Sequence, residues 1–149
     1  MHEWSKKKSD VDAYPTGALP VVTIRGERLC ETIATLRFLS LKLGEVGHEY
    51  YPKTTDLQWQ CNSIMDGFSE LMNFSGDVVT NFMLGDEHKM EQARDKLIIA
   101  LEKYLCMIEN RMQKHNHKFV AGNSLTCADF CVFSIWSNWG GNNHCPIHK

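Results

Sequence analysis

A chain of 149 residues with 16 Lys plus Arg against 18 Asp plus Glu carries a formal net charge of −2, which leaves no electrostatic footprint for nucleic acid or for an anionic membrane surface. The length accommodates one good core, or one small and one medium unit. No apolar run approaches a membrane span and the polar N-terminus lacks the apolar stretch of a signal peptide, so a cytoplasmic setting is expected.

Residues 1–18 are polar, carry Lys6-Lys7-Lys8 and read as an irregular arm with no core of its own. Residues 20–24 and 27–30 read as a β-hairpin, with Arg25-Gly26-Glu27 as the turn and Gly26 free to take a positive φ. Pro20 heads the first strand. It has no N–H for the ladder, so it sits at a sheet edge or follows a cis bond. A cis bond leaves the N–H and C=O of Leu19 unpaired and facing outward, an arrangement suited to an extended, peptide-like ligand. Residues 31–43 read as a helix with Ile33, Leu36, Leu39 or Ser40, and Leu43 on one face. Glu31 and Thr32 open it, where free N–H groups and the helix dipole favour an anion. The same two residues also suit plain helix capping.

Gly44 to Asp56, with Gly47, Pro52 and two Thr, reads as a linker. Asp56 is the expected cap of a helix running to about Met72, whose apolar positions Leu57, Cys61, Ile64, Met65, Phe68, Leu71 and Met72 fit a period of 3.6. Phe74 to Leu84 is less regular and is expected to continue that helix after a break near Gly76. A long helix spans about Asp86 to Lys114, with Met90, Ala93, Leu97, Leu101, Tyr104, Leu105, Ile108 and Met112 inward, and Asn116 to Lys118 ends it. Thr126 opens another helix, with Ala128, Cys131, Val132, Ile135 and Trp136 on one face. Periodicity is lost after Ser137, and Asn138 to Lys149 reads as a frayed tail.

Thr126-Cys127-Ala128-Asp129 predicts a structural capping box, Thr126 capping the helix and Asp129 returning a bond to the Thr126 N–H, with Leu125 stapled onto Phe130. Such a cap contributes about 1 kcal/mol. Cys30, Cys61, Cys106, Cys127, Cys131 and Cys145 fall mostly on apolar helix faces and read as buried reduced thiols, with Cys127 and Cys131 packed in one core. There is no CxxC pair to support thiol exchange. His144-Cys145-x-x-His148 and His115-x-His117 have the residue types of zinc ligands. They lie in a tail and at a helix end, without the fixed frame a tetrahedral site needs, and no metal site is assigned.

Two of these stretches together resemble the glutathione S-transferase family. Gly17-x-Leu19-Pro20-Val21, followed by Gly26-x-x-Leu29-x-Glu31-Thr32-x-Ala34-x-x-Arg37-Phe38-Leu39, is similar to the glutathione-binding half of that family. Phe119-Val120-Ala121-Gly122-Asn123-Ser124-Leu125-Thr126-Cys127-Ala128-Asp129-Phe130 resembles the opening of the central helix of its second domain. The motifs stand in the family's order, and the likeness runs from about Trp4 to Trp136.

The resemblance implies an α/β plus all-α fold: a partial thioredoxin-like domain of hairpin and helix over residues 1–44, a linker over 45–55, and an α-helical C-terminal domain over 56–149. The family's first strand, first helix and most of its second strand find no counterpart here, nor do its last helices, so a truncated member, an aberrant gene model or a splice product is expected. By the same resemblance Leu19, before the cis Pro20, binds the cysteine backbone of glutathione. Thr32 takes the γ-glutamyl carboxylate, and Glu31, where many members have Gln, prefers the ligand's amino group. Trp4 and Lys8, as Trp-x-x-x-Lys, match a pair that contacts the glycine end, Lys8 acting as a point charge. Their spacing to Pro20 exceeds the family's, and a Trp beside a lysine run on a polar arm also reads as plain surface. Glu70 matches an acid that reaches glutathione across a dimer interface, or faces solvent.

The family's thiol-activating Tyr, Ser or Cys has no match, Tyr14 being too close to Pro20, so no catalytic residue is assigned. The implied activity is conjugation of glutathione to electrophiles in detoxification, with glutathione as co-substrate and no other cofactor. Thiolate attack is the implied chemistry, in a pocket between half-domain and helices, and a homodimer is the implied assembly. A catalytically silent interaction or dimerisation module is the alternative. A third reading is a chain that does not fold stably, its hairpin edge left open.

Overall fold

A computed structural model describes residues 2–47 and 49–140, which fall into two units, Met1–His48 and Glu49–Lys149. The first holds helix α1 (His2–Lys7), strands β1 (Val22–Ile24) and β2 (Glu27–Leu29), and helix α2 (Thr32–Gly44). The strands pair antiparallel, Val22 opposite Leu29 and Ile24 opposite Glu27. Arg25 and Gly26 turn the chain at φ 50° and 87°, the positive pair that a two-residue hairpin turn requires.

The N-terminal arm is more ordered than its polarity suggests. Residues His2–Lys7 form a helical turn and a half, with an ion pair of 2.7 Å between Glu3 and Lys7 and the Trp4 ring edge-on to Tyr14 at 5.0 Å. The buried side of α2 also departs from expectation. Its buried residues are Thr35 and Ser40, whose hydroxyls donate to the carbonyls of Cys30 (3.1 Å) and Leu36 (2.8 Å). Ile33, Leu36 and Leu39 are half-buried and Leu43 is exposed. Two strands of three residues offer too narrow a surface to cover a full apolar stripe.

The second unit is helical: α3 (Thr55–Leu84), α4 (Glu87–His115) and α5 (Cys127–Ile135), followed by a π-helical turn at Trp136–Gly140. The break expected near Gly76 is absent, and α3 runs 30 residues without interruption. A lone glycine costs about 1 kcal/mol against alanine in a helix, too little to divide one anchored by buried Leu71 and Val78 on either side. Thr54, not Asp56, is the N-cap; Asp56 falls in the first turn, where its charge opposes the positive end of the dipole. Gly85 closes α3 at φ 70°. Asp86 caps α4 by accepting the Lys89 N–H at 3.1 Å. The Lys89 side chain, 2.9 Å away, and that N–H hold its carboxyl below the usual range. The predicted linker is divided, since Tyr50 and Tyr51 bond to the helical unit: the Cys127 N–H donates to the Tyr50 carbonyl at 2.8 Å, and Asn62 donates to the Tyr51 hydroxyl at 2.9 Å.

Helices α3 and α4 approach closely at Gly67. A Cβ there stands 2.8 Å from the Tyr104 ring, and the Tyr104 hydroxyl donates to the Ile64 carbonyl at 2.8 Å. The core continues through Ile64, Leu97 and Ile108 to Cys127, Ala128 and Ile135 of α5. Met72, Leu105 and Trp136, expected inward, are exposed at its margins. The start of the expected tail is ordered instead: residues 138–140 belong to the π-helical turn, and Trp139 is buried. His144, Cys145 and His148 lie outside the described residues.

At the start of α5 a capping box forms. The Asp129 carboxylate accepts the Thr126 N–H at 2.7 Å and the Thr126 hydroxyl at 2.9 Å. Its other oxygen accepts the Val120 N–H at 3.0 Å. The ring of Phe130 lies 5.7 Å from that of Tyr50.

Two substitutions test this packing. Gly67→Ala should lower the unfolding free energy by about 1–3 kcal/mol, as overpacking does, whereas Gly76→Ala, with open space around it, should raise it by about 0.5–1 kcal/mol. Urea unfolding followed by circular dichroism measures both, and equal effects refute the Tyr104 contact. Asp129→Ala strips three donors of their acceptor and should cost about 2–4 kcal/mol by the same assay; a loss below about 0.5 kcal/mol contradicts its tethering role.

Candidate functional site

The hairpin gathers the residues singled out by sequence. The pairing ends with Val22 opposite Leu29, two residues after Pro20 and two before Glu31. Leu19-Pro20 and Glu31-Thr32 therefore leave the hairpin at the same end. The Leu19–Pro20 bond is cis, and Leu19 is 65 % exposed. Glu31 takes φ 66°, ψ 102° and turns the chain from β2 into α2. No side chain caps α2, and the first amide returned to the chain is that of Thr35, to the Glu31 carbonyl at 2.9 Å. The amides before it form a helix N-terminus, with the exposed Glu31 carboxylate and Thr32 hydroxyl beside them. A carboxylate suits the amides and hydroxyl; an ammonium suits Glu31. Together they fit the zwitterionic end of an amino acid.

Trp4 and Lys8 lie at α1 in the same unit. Trp4 is half-buried against Tyr14, so part of its ring serves the fold. The Lys8 N–H donates to the Trp4 carbonyl at 2.9 Å, and its side chain is exposed. The Lys8 carbonyl lies 3.4 Å from where a Cβ on Gly17 would be, which brings the end of α1 against the segment two residues before Leu19.

The helical unit has a groove of about 540 Å³ between α3 and α4, with Leu71, Phe74, Ile99 and Met107 on its walls and Lys96 and Lys103 beside them. Glu70 also lines it and is exposed. Two pairings here had no signal in local sequence. The Arg111 guanidinium lies 4.7 Å from the Trp59 ring and donates to the Ser63 hydroxyl at 2.5 Å. Cys127 meets Cys61 of α3 at 3.6 Å. That thiol contact first, and then burial, push the Cys61 thiol well above its usual range. Cys30, Cys61, Cys106, Cys127 and Cys131 are in the reduced form. His115 and His117 stack at 5.3 Å, and burial holds His117 below its usual value. Among the described residues no group of three or more His, Cys, Asp or Glu side chains is placed to hold a metal, and no helix is long and apolar enough to cross a membrane.

The glutathione S-transferase C-terminal domain profile matches residues 71–141. Glutathione S-transferase 4 of Caenorhabditis elegans is 27 % identical over 134 residues, covering 89 % of this chain and 61 % of that protein. Glutathione S-transferase 1 of Ascaris suum is 28 % identical over 128 residues, covering 84 % and 59 %. The chain thus spans about three-fifths of the length of these relatives. Among solved structures, monomeric Na-GST-3 of the hookworm Necator americanus superposes with a TM-score of 0.75 at 24 % identity, over 99 % of this chain and 71 % of that one. The Ascaris lumbricoides glutathione S-transferase does so with a TM-score of 0.69 at 24 % identity, over 94 % and 65 %. The fold described above is theirs.

Proposed function

We propose that this chain is a member of the glutathione S-transferase family that binds glutathione at the open end of the hairpin and conjugates it to small electrophiles. The observation that carries this reading is the convergence of Leu19-Pro20 with the uncapped start of α2. Leu19 offers its backbone to the cysteine of glutathione. The Thr32 hydroxyl and the first amides of α2 take the γ-glutamyl carboxylate, Glu31 takes the amino group, and Trp4 with Lys8 serves the glycine end.

The conjugation itself is attack of the glutathione thiolate on electrophilic carbon, with formation of a carbon–sulfur bond. The part given to these residues is binding and orientation of the nucleophile. Glutathione is a co-substrate, and no further cofactor enters the reaction. The homodimer face is assigned to the α3–α4 groove, where apolar walls are rimmed by Glu70, Lys96 and Lys103. Detoxification in the cytoplasm is the setting that fits this activity.

Calorimetric titration of glutathione into the chain is the direct test. Thr32→Ala should weaken binding at least about tenfold, the cost of one hydrogen bond to a charged group; equal affinity in the variant overturns the assignment of this site. Glutathione-dependent consumption of an aryl halide should exceed the uncatalysed rate. Binding without turnover establishes the silent module instead. Sedimentation equilibrium should return twice 17.1 kDa; a single-chain mass removes the dimer from the proposal.

A further inference from the structure

The geometry points to a buried soft-cation site: Cys61 Sγ, Met65 Sδ and Cys127 Sγ form a three-sulfur cage that takes one monovalent d10 cation of the Cu(I) class and ties α3 to the start of α5. The three sulfurs stand at nearly equal separations. Cys61 to Cys127 is 3.6 Å, Cys127 to Met65 is 3.4 Å and Cys61 to Met65 is 3.9 Å. The point equidistant from all three lies about 2.1 Å from each, a little inside the ~2.3 Å of a zinc–thiolate bond, so a slight expansion admits a metal. Cys61 and Met65 share one face of α3 at a spacing of four residues, and Cys127 is the first residue of α5. All three residues have no exposed surface.

The donor set selects the ion. Thiolate and thioether are soft ligands and favour Cu(I) over harder divalent ions. Zinc requires a fourth ligand on a tetrahedral frame, and no cluster of His, Cys, Asp or Glu supplies one among the described residues. On binding, two sulfur–metal bonds replace the S–H bonds of Cys61 and Cys127, because the thiolate is the metal ligand, and both protons leave to solvent. Met65 adds a neutral thioether. One cation against two thiolates leaves a single negative charge at the start of α5, where the positive end of the helix favours it. Entry requires the start of α5 to open, a step held by the bond from the Cys127 N–H to the Tyr50 carbonyl.

The experiment adds one equivalent of Cu(I), as its acetonitrile complex and without oxygen, to the 149-residue chain and equilibrates it against a competing chelator. X-ray absorption should show three sulfur neighbours, and the unfolding temperature should rise. Cys30→Ser with Cys106→Ser removes more accessible thiols and should leave both results unchanged. Met65→Leu, close to volume-conserving, should leave two sulfur neighbours and weaken binding at least about tenfold, equivalent to 1.4 kcal/mol. Three outcomes overturn the site: loss of binding in the Cys30/Cys106 variant, an unchanged sulfur shell and affinity in Met65→Leu, or no Cu(I) retained against the chelator.

Discussion

The helical unit depends on one carboxylate. Asp129 accepts the amides of Val120 and Thr126 and the hydroxyl of Thr126, so it holds both ends of the loop that precedes α5. Bonds to an ionised acceptor are roughly twice as strong as neutral ones, and this acceptor satisfies amides that the fold has partly withdrawn from water. With the loop held, Val120 and Ala121 are buried, Gly122 comes against Leu57, and Cys127 enters α5 bonded to Tyr50. The meeting of Cys127 with Cys61 and Met65 is downstream of the same anchor. The charge is spent on architecture rather than chemistry.

The features legible in sequence are those written locally. Asp86 and Asn116 bound α4 because a short acid suits the N-cap and Asn tolerates the left-handed conformation. Thr126 and Asp129 sit within one turn of each other. The hairpin was readable because Arg25-Gly26 supplies its turn within the segment it folds. Gly76 misled because composition registers a weak helix former but not the buried neighbours that override it. Arg111 on Trp59 and Cys61 against Cys127 join residues 52 and 66 positions apart, and no local pattern records such partners. At the candidate site, the residue types at Leu19, Glu31 and Thr32 and their placement on a hairpin and helix start were readable. The conversion of the polar arm into α1 was not, since its order rests on a Trp4–Tyr14 contact ten residues apart.

The two units are built on different physics. In the helical unit, apolar side chains from three helices fill a common interior, and Tyr104 pays its polar cost through the Ile64 carbonyl. In the first unit the buried residues of α2 are Thr35 and Ser40, each satisfied by a nearby carbonyl. Local bonds of that kind define shape but contribute little net stability, about 0.5–1.5 kcal/mol each. The proposed glutathione site therefore rests on the less deeply packed part of the chain. Ligand binding there stabilises it by mass action, so occupancy and local order rise together.

The 30-residue α3 is about 45 Å long, and its surroundings change along that length. Cys61, Ile64 and Met65, near its start, have no exposed surface, whereas Phe82, Met83 and Leu84, at its end, are each more than half exposed. Amide hydrogens around Ile64 exchange with solvent only when the core itself opens; those of the last turns exchange by fraying back from Gly85. A continuous ladder of hydrogen bonds thus keeps two clocks, slow at the buried start and fast at the exposed end, and the passage from one to the other along α3 marks where cooperative structure stops.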